Sequence, residues 1–508
     1  MLNEQVKPVV VGRDQTYPDR ISGKQRIAIA ALLAVIAVFQ FSTLLPGHDW
    51  GDDFSMYIAH ARNIVEGTPY SDTGYIYNRD EPIGPPRASP GLPLLLAPVY
   101  AVRGVDLMAM KGVMIVSFVA ALALISALVT RWLGFVSALA VIAMLGFHPY
   151  FTGFKDNILT DLPFLFFFYL GIWLAQRRAD GDNERDITFI HGVVPGILWW
   201  AAYCVRAVGA LLPLAIVIHE LVTSRRIRRS TVISIAVFGF LALLQGWLLQ
   251  SPTDYLTNYS FRPGALRSQV AADVTFVSDL VTPALRGTAA FVVFCIASVL
   301  TLLGVIRSWK QGHHLPLIVA VIYLGSKLLW PFTEAGRYLI PVLPLYFFFL
   351  VSGLHWLAQI AGRWRPAVGL VAASVAAAMY VQEHRNYPAP DPAYRIETPE
   401  AQTLFQFFRR STPPDAIAIF KKPRALALFT GRRAGVYTTT EKEDPWRFID
   451  RIGATHFASV RASIMDSSYI AWLARTRPQS VSEIYRNPRF IVYDLAPRRA
   501  AAPDPAGP

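Results

Sequence analysis

Cysteine is nearly absent from this chain, with two in 508 residues. Cys204 and Cys295 both lie in apolar segments, which excludes a disulfide framework and a thiolate metal cluster. Charge is scarce too, at 16% of residues against about 25% in an ordinary soluble protein. What replaces it is apolar: 53% of the residues are hydrophobic, gathered in long runs at 27–45, 112–130, 132–147, 158–176, 231–250, 288–306, 315–332 and 338–357. Several reach the ~20 residues a helix needs to cross a bilayer core. Inside lipid every backbone amide must find its partner within the segment, so these runs are predicted to be helices.

The net charge is +13. Its distribution excludes a nucleic-acid footprint, because Lys and Arg concentrate in short connections between apolar runs, the pattern of cytoplasmic loops. Residues 1–26 are polar with five Lys/Arg, and the apolar run after them exceeds the roughly 7–15 residues of a signal-peptide core. It reads as a retained first span behind a cytoplasmic tail.

Placing every basic cluster on one side fixes the parity. The expected spans are 27–45, 107–130, 132–147, 157–176, 188–203, 206–223, 231–250, 287–306, 314–332, 337–358 and 366–380, eleven in all. Residues 91–102 (GLPLLLAPVYAV) are too short to span and read as a juxtamembrane or re-entrant helix on the outer face. The N-terminus is then cytoplasmic and the C-terminus extracytoplasmic, in a multi-pass protein of the cell's inner (plasma) membrane. Two long outer loops remain, 46–106 and 251–286, and long loops tend to carry function.

Beyond the membrane domain, 27–381, composition changes. Residues 382–399 read as a Pro- and charge-rich linker, 400–496 as a small extracytoplasmic α/β domain without a phosphate-binding glycine loop, and 497–508 as a disordered tail. Helices are predicted at Glu400–Arg410, Arg424–Thr430 (stopped by Gly431) and Pro445–Ile452, strands at Ala416–Phe420 and His456–Val460, and a hairpin around Asn487-Pro488.

Residues 46–90 of the first outer loop carry seven acids against three Arg. Asp52-Asp53 precedes Phe54, Tyr57, Ile58, Ala61, Ile64 and Val65 at helical spacing, which predicts an amphipathic surface helix with Asp53 at its N-terminus. A carboxylate there caps the helix and stays ionised, which makes it a candidate general base; a solvated loop start is the plainer reading. In the second acidic stretch Asp161 falls about one turn inside an apolar run, a costly place for a carboxylate and so a candidate site, while Asp156 suits helix capping. Arg206, Lys327 and Arg337 share the same level. Snorkelling to headgroups is their ordinary use; clamping a lipid phosphate is the other, for which Arg is well suited. Glu334 is a pairing partner for Arg337 or Lys327. One face thus carries carboxylates and cations, as a reaction needs in which a lipid-linked phosphate leaves and a hydroxyl attacks.

These residues resemble the GT-C superfamily of membrane glycosyltransferases, in the branch of protein mannosyltransferases, bacterial aminoarabinose transferases and related polyprenyl-phosphate-sugar enzymes. The likeness spans roughly 27–380. It rests on Asp53 with Tyr57, then Ala61-Arg62-Asn63 and Gly67; on Pro90-Gly91-Leu92-Pro93; on Asp161-Leu162-Pro163-Phe164; and on Arg337-Tyr338 with Pro341. The acidic pair departs from the common Asp-Glu, and no Glu immediately precedes the Pro-rich stretch. The resemblance implies a GT-C-like polytopic helical protein that transfers a hexose or pentose, with inversion, from a polyprenyl-phosphate donor to a lipid, glycan or protein acceptor. Asp53 would be the base, with Asp52 and Asp161 positioning substrate or holding a divalent cation. Arg206, Arg337 and Lys327 would meet the leaving phosphate, and Tyr57, Asp156 and Glu334 would position substrate. No other cofactor is expected. The competing class is a transporter or flippase of lipid-linked glycans, which would need charges at the bilayer midplane; apart from Lys327 the spans carry almost none there.

Overall fold

The computed structural model describes residues 22–78, 87–179, 190–249, 263–330, 336–387, 391, 394–437 and 444–495. Glu334 and the tail 497–508 lie outside the described residues. Every expected span overlaps a helix among the described residues. Among the described residues, seven helices are long and apolar enough to cross a membrane: Gly23–Ser42, Leu107–Leu133, Ala207–Ser224, Arg229–Leu249, Gly287–Lys310, Arg337–Ile360 and Gly362–Asn386. Gly91–Arg103, Phe135–Gly146, Gly192–Val205 and His314–Leu328 are apolar but shorter. The chain is a multi-pass membrane protein.

Small residues let the helices approach. A Cβ on Gly304 would strike the Phe349 carbonyl, and one on Gly353 the Leu300 carbonyl, so Gly287–Lys310 and Leu343–Ile360 pack backbone to backbone. In lipid, where apolar side chains gain little by leaving their solvent, such van der Waals contact supplies much of the association.

The described residues of the loop 46–106 carry two helices. Asp53–Glu66 forms the predicted helix, ended by Gly67 in the left-handed conformation (φ +68°). It lies between Gly91–Arg103 and Pro423–Thr430, so burial extends beyond the predicted stripe: Ser55, Met56, Ala59, His60 and Asn63 are buried beside Phe54, Tyr57, Ile58 and Ala61, whereas Ile64 and Val65 are exposed. Residues 91–102 form the short helix expected of them, Gly91–Arg103.

The C-terminal region is built around a six-stranded sheet. Its strands are β1 (Tyr75–Ile76), β2 (Ile417–Ile419), β3 (Arg433–Gly435), β4 (His456–Val460), β5 (Val481–Arg486) and β6 (Phe490–Leu495), in the order β1-β3-β2-β4-β6-β5. β1, β3, β2 and β4 run parallel, and β6 pairs antiparallel with β4 and β5. The predicted hairpin is present, with Asn487 Oδ1 accepting the amides of Arg489 and Phe490. Pro445–Ile452 and His456–Val460 match the predicted bounds. The sequence reading omits the helix Ile464–Thr476, strand β3, and β1, which comes from the first outer loop rather than from 400–496.

Two further contacts tie loop to sheet. Trp50 packs among Phe405, Phe420 and Phe490 at centroid distances of 5.5, 5.5 and 5.7 Å. The stretch read as a linker is partly structure: the last span continues to Asn386, and buried Ile396 donates its amide to the His48 carbonyl at 3.0 Å. The sheet is therefore seated on the loop that carries Asp52 and Asp53.

Candidate active site

Six side chains from distant parts of the sequence form an alternating row of charge. Asp161 opens the helix Asp161–Ala179. Arg206 sits where Ile190–Val205 ends and the 3-10 turn Ala207–Ala210 begins, and its Nη1 donates to Asp161 Oδ1 and, at 3.4 Å, to Thr160 Oγ1. Arg337 opens the 3-10 turn Arg337–Val342, which the Tyr169 hydroxyl pins by donating to the Pro341 carbonyl at 3.0 Å. Arg337 Nε donates to Asp161 Oδ2 at 2.8 Å, and its Nη1 reaches Asp53 Oδ2 at 3.5 Å. From the other side Arg424, near the start of Pro423–Thr430, donates Nη1 to Asp53 Oδ1 at 3.1 Å and places Nε 3.5 Å from Asp52 Oδ2. The row reads Arg206, Asp161, Arg337, Asp53, Arg424, Asp52.

Exposure separates the three acids. The Asp53 side chain is 37% exposed, against 1% for Asp161 and 9% for Asp52. Asp161 spends both oxygens on two guanidiniums, a charge-assisted arrangement that orients the arginines. Asp53 lies in the first turn of its helix, where the macrodipole favours a carboxylate. Asp52 occupies the cap position of that helix without capping it. It turns instead to the C-terminal region, where its Oδ1 accepts the Ala425 amide at 3.4 Å.

Burial pushes the Asp52 carboxyl up to about 6, with Asp53's charge adding to the rise and Arg424, Lys422 and the Ala425 amide opposing it. A carboxyl whose folded value exceeds its unfolded 3.8 favours folding fully below 3.8 and loses that contribution as pH rises through 6. The difference corresponds to about 3 kcal/mol. The melting temperature of wild type relative to Asp52→Asn is therefore expected to fall between pH 4 and pH 7. A constant difference across that range would contradict the assignment.

His60 holds the frame of the loop. Its Nε2 accepts the Ala88 amide at 3.1 Å, so its Nδ1–H donates to the Tyr70 carbonyl at 2.6 Å, and the ring stacks on Tyr70. Burial lowers its pKa to about 4, which keeps this one tautomer neutral.

The remaining sequence candidates fall as follows. Tyr57 lies within electrostatic reach of Arg337. Asp156 belongs to a separate cluster: it accepts from Lys111 at 3.2 Å, Lys155 at 2.8 Å and the Leu45 amide at 2.9 Å, which anchors the end of the first span. Lys327 pairs with Asp273 of the helix Pro263–Val281, not with a member of the row. Arg424 is the functional candidate that sequence reasoning missed. In KKPRALALFTG it reads as the first residue of a short predicted helix, and nothing in the local pattern marks it as a site residue.

No protein-family model matches the chain, and no curated protein matches it. Solved structures do. ArnT from Cupriavidus metallidurans bound to undecaprenyl phosphate superposes with a TM-score of 0.55 at 13% identity, covering 93% of this chain and 98% of that one. The archaeal oligosaccharyltransferase AglB from Archaeoglobus fulgidus, in complex with an inhibitory peptide and a dolichol-phosphate, gives 0.57 at 12% identity, covering 92% and 74%. Its apo form gives 0.60 at 12% identity, covering 94% and 76%. The chain shares the fold of ArnT and AglB. At these identities the likeness concerns architecture alone.

A further AglB structure is described as a complex with Zn and sulfate. In this chain the donor set suits a divalent cation poorly. Among the described residues no three His, Cys, Asp or Glu side chains converge. Each acid of the row already faces a guanidinium, which a metal ion would have to displace.

Proposed function

We propose that this protein is a glycosyltransferase that moves a sugar from a polyprenyl-phosphate-linked donor to a hydroxyl-bearing lipid, glycan or protein at the outer face of the inner membrane. The observation that carries the reading is the unequal row: one accessible carboxylate, Asp53, in line with two arginines, Arg206 and Arg337, that the buried carboxylate of Asp161 holds in place. The polyprenyl phosphates named for ArnT and AglB supply the donor class.

In this reading Asp53 takes the proton of the acceptor hydroxyl, whose oxygen bonds to the anomeric carbon from the face opposite the phosphate. The sugar–phosphate bond breaks, the configuration inverts, and the lipid phosphate leaves with the electron pair. Arg206 and Arg337 meet the developing charge, as oriented guanidiniums in a site of restricted water should. Asp161 serves by orienting them. Lys327 is left out of the mechanism, because its ammonium is paired with Asp273. The transporter reading gains no support, since Asp161, Arg206 and Arg337 all sit at helix ends.

The test uses purified protein in liposomes, labelled polyprenyl-phosphate sugars and a membrane extract as acceptor pool. Label should reach the acceptor fraction. Undecaprenyl phosphate alone should raise the melting temperature of wild type more than that of Arg206→Gln. Absence of both effects would falsify the reading.

A further inference from the structure

Arg424 is unused by the mechanism above, yet it is one of the most buried charges in the protein, with a side chain 1% exposed. It comes from the C-terminal region, 371 residues from Asp53 in sequence. Three contacts define it. Nη1 donates to Asp53 Oδ1 at 3.1 Å, Nε lies 3.5 Å from Asp52 Oδ2, and the guanidinium lies over the Tyr75 ring at 4.8 Å. Tyr75 belongs to β1, the strand that the outer loop contributes to the C-terminal sheet. Asp52 meanwhile accepts the Ala425 amide, at the start of the helix that carries Arg424. The same few residues therefore dock the sheet on the loop and bring a cation to the accessible carboxylate.

We propose that Arg424 is a positioning residue for Asp53, and that the C-terminal region is thereby part of the active site rather than an appendage to it. The inference rests on the transferase reading. Arg337 approaches Asp53 only at 3.5 Å while bonding Asp161 at 2.8 Å, so its commitment is to Asp161 and to the leaving phosphate. Arg424 holds the opposite oxygen of Asp53 more closely. It thus fixes the direction of Oδ2, the more loosely held oxygen, which meets Arg337 only at 3.5 Å and is the one to receive a proton. A planar guanidinium with donors in fixed directions can orient a carboxylate in this way, and an ammonium does so less well.

The experiment compares wild type, Arg424→Gln, Arg424→Lys and Lys422→Gln in the liposome assay. Lys422 adds positive potential at Asp52, so its variant controls for charge alone. For Arg424→Gln we expect kcat to fall on the order of 10²-fold with the donor KM nearly unchanged. The acidic limb of kcat/KM should move to higher pH, because the carboxylate loses a neighbouring cation. Arg424→Lys should restore part of the rate, and Lys422→Gln should leave the limb in place. If Arg424→Gln melts early, Arg424→Lys supplies the same two readouts. Wild-type transfer with an unmoved limb and an unchanged kcat in both Arg424 variants overturns this inference while the transferase reading stands. No transfer by wild type, together with no thermal shift on adding undecaprenyl phosphate, overturns both.

Discussion

Asp53→Asn is expected to lower sugar transfer by about 10²–10⁴-fold, the usual cost of removing a general base. That corresponds to roughly 3–5 kcal/mol in the barrier. Folding should hardly notice. Asp53 is the exposed member of the row, and each arginine it touches keeps another carboxylate, Asp161 for Arg337 and Asp52 for Arg424. Stability should change by no more than about 1 kcal/mol, as for a partly exposed ion pair. Binding of the polyprenyl phosphate should persist, because Asn keeps the shape of the site and removes a negative charge from it. The decisive comparison is kcat against melting temperature. A variant that transfers at the wild-type rate would move the base to another acid, and the burial of Asp52 and Asp161 leaves neither well placed.

Arg337→Gln is expected to damage activity and stability together. Arg337 is the middle of the row and bonds an aspartate that is 1% exposed. Removing one partner from a buried pair costs about 3–5 kcal/mol, since the other charge is left without compensation. Arg206 still faces Asp161, so the lower end of that range applies. Transfer should fall by about 10²–10³-fold, the scale of losing one preorganised stabiliser of developing charge. The double variant Arg337→Gln/Asp161→Asn tests the pairing. It should recover none of the activity, and it should cost less than the two single variants added together, because both remove the same ion pair while Arg206 loses its carboxylate only once. If the two losses of melting temperature simply add, Arg337 and Asp161 are not energetically coupled and the row is only a geometric coincidence.

Much of this molecule is legible from local chemistry. The helix at 445–452 and the strand at 456–460 are bounded by their own signals: Asp444 caps the helix by accepting the Trp446 amide, and Gly453 ends it in the left-handed conformation. The amphipathic pattern of 400–410 buries Ala401, Leu404, Phe405 and Phe408 as its spacing dictates. Strands β1 and β3 escape notice because two or three residues give no alternation to read, and β1 in addition finds its partner several hundred residues away. Lys327 shows the same limit. Its place at the level of Arg206 and Arg337 is visible in sequence, but its commitment to Asp273 depends on how the helix Pro263–Val281 folds back.

The sequence by itself determined that the chain lies in a membrane as a set of helices, because an apolar run in lipid has no other way to satisfy its backbone. It also set Asp53, Asp161, Arg206 and Arg337 near the ends of apolar segments, since those ends follow from hydrophobic length. Only the tertiary structure decided which of those charges meet. Asp52 and Asp53 are neighbours of the same type, yet one is buried under the C-terminal region and the other is left accessible. The difference comes from the surface seated on them, through β1, Trp50 and Arg424. Burial and pairing are properties of that contact, and no stretch of chain carries them alone.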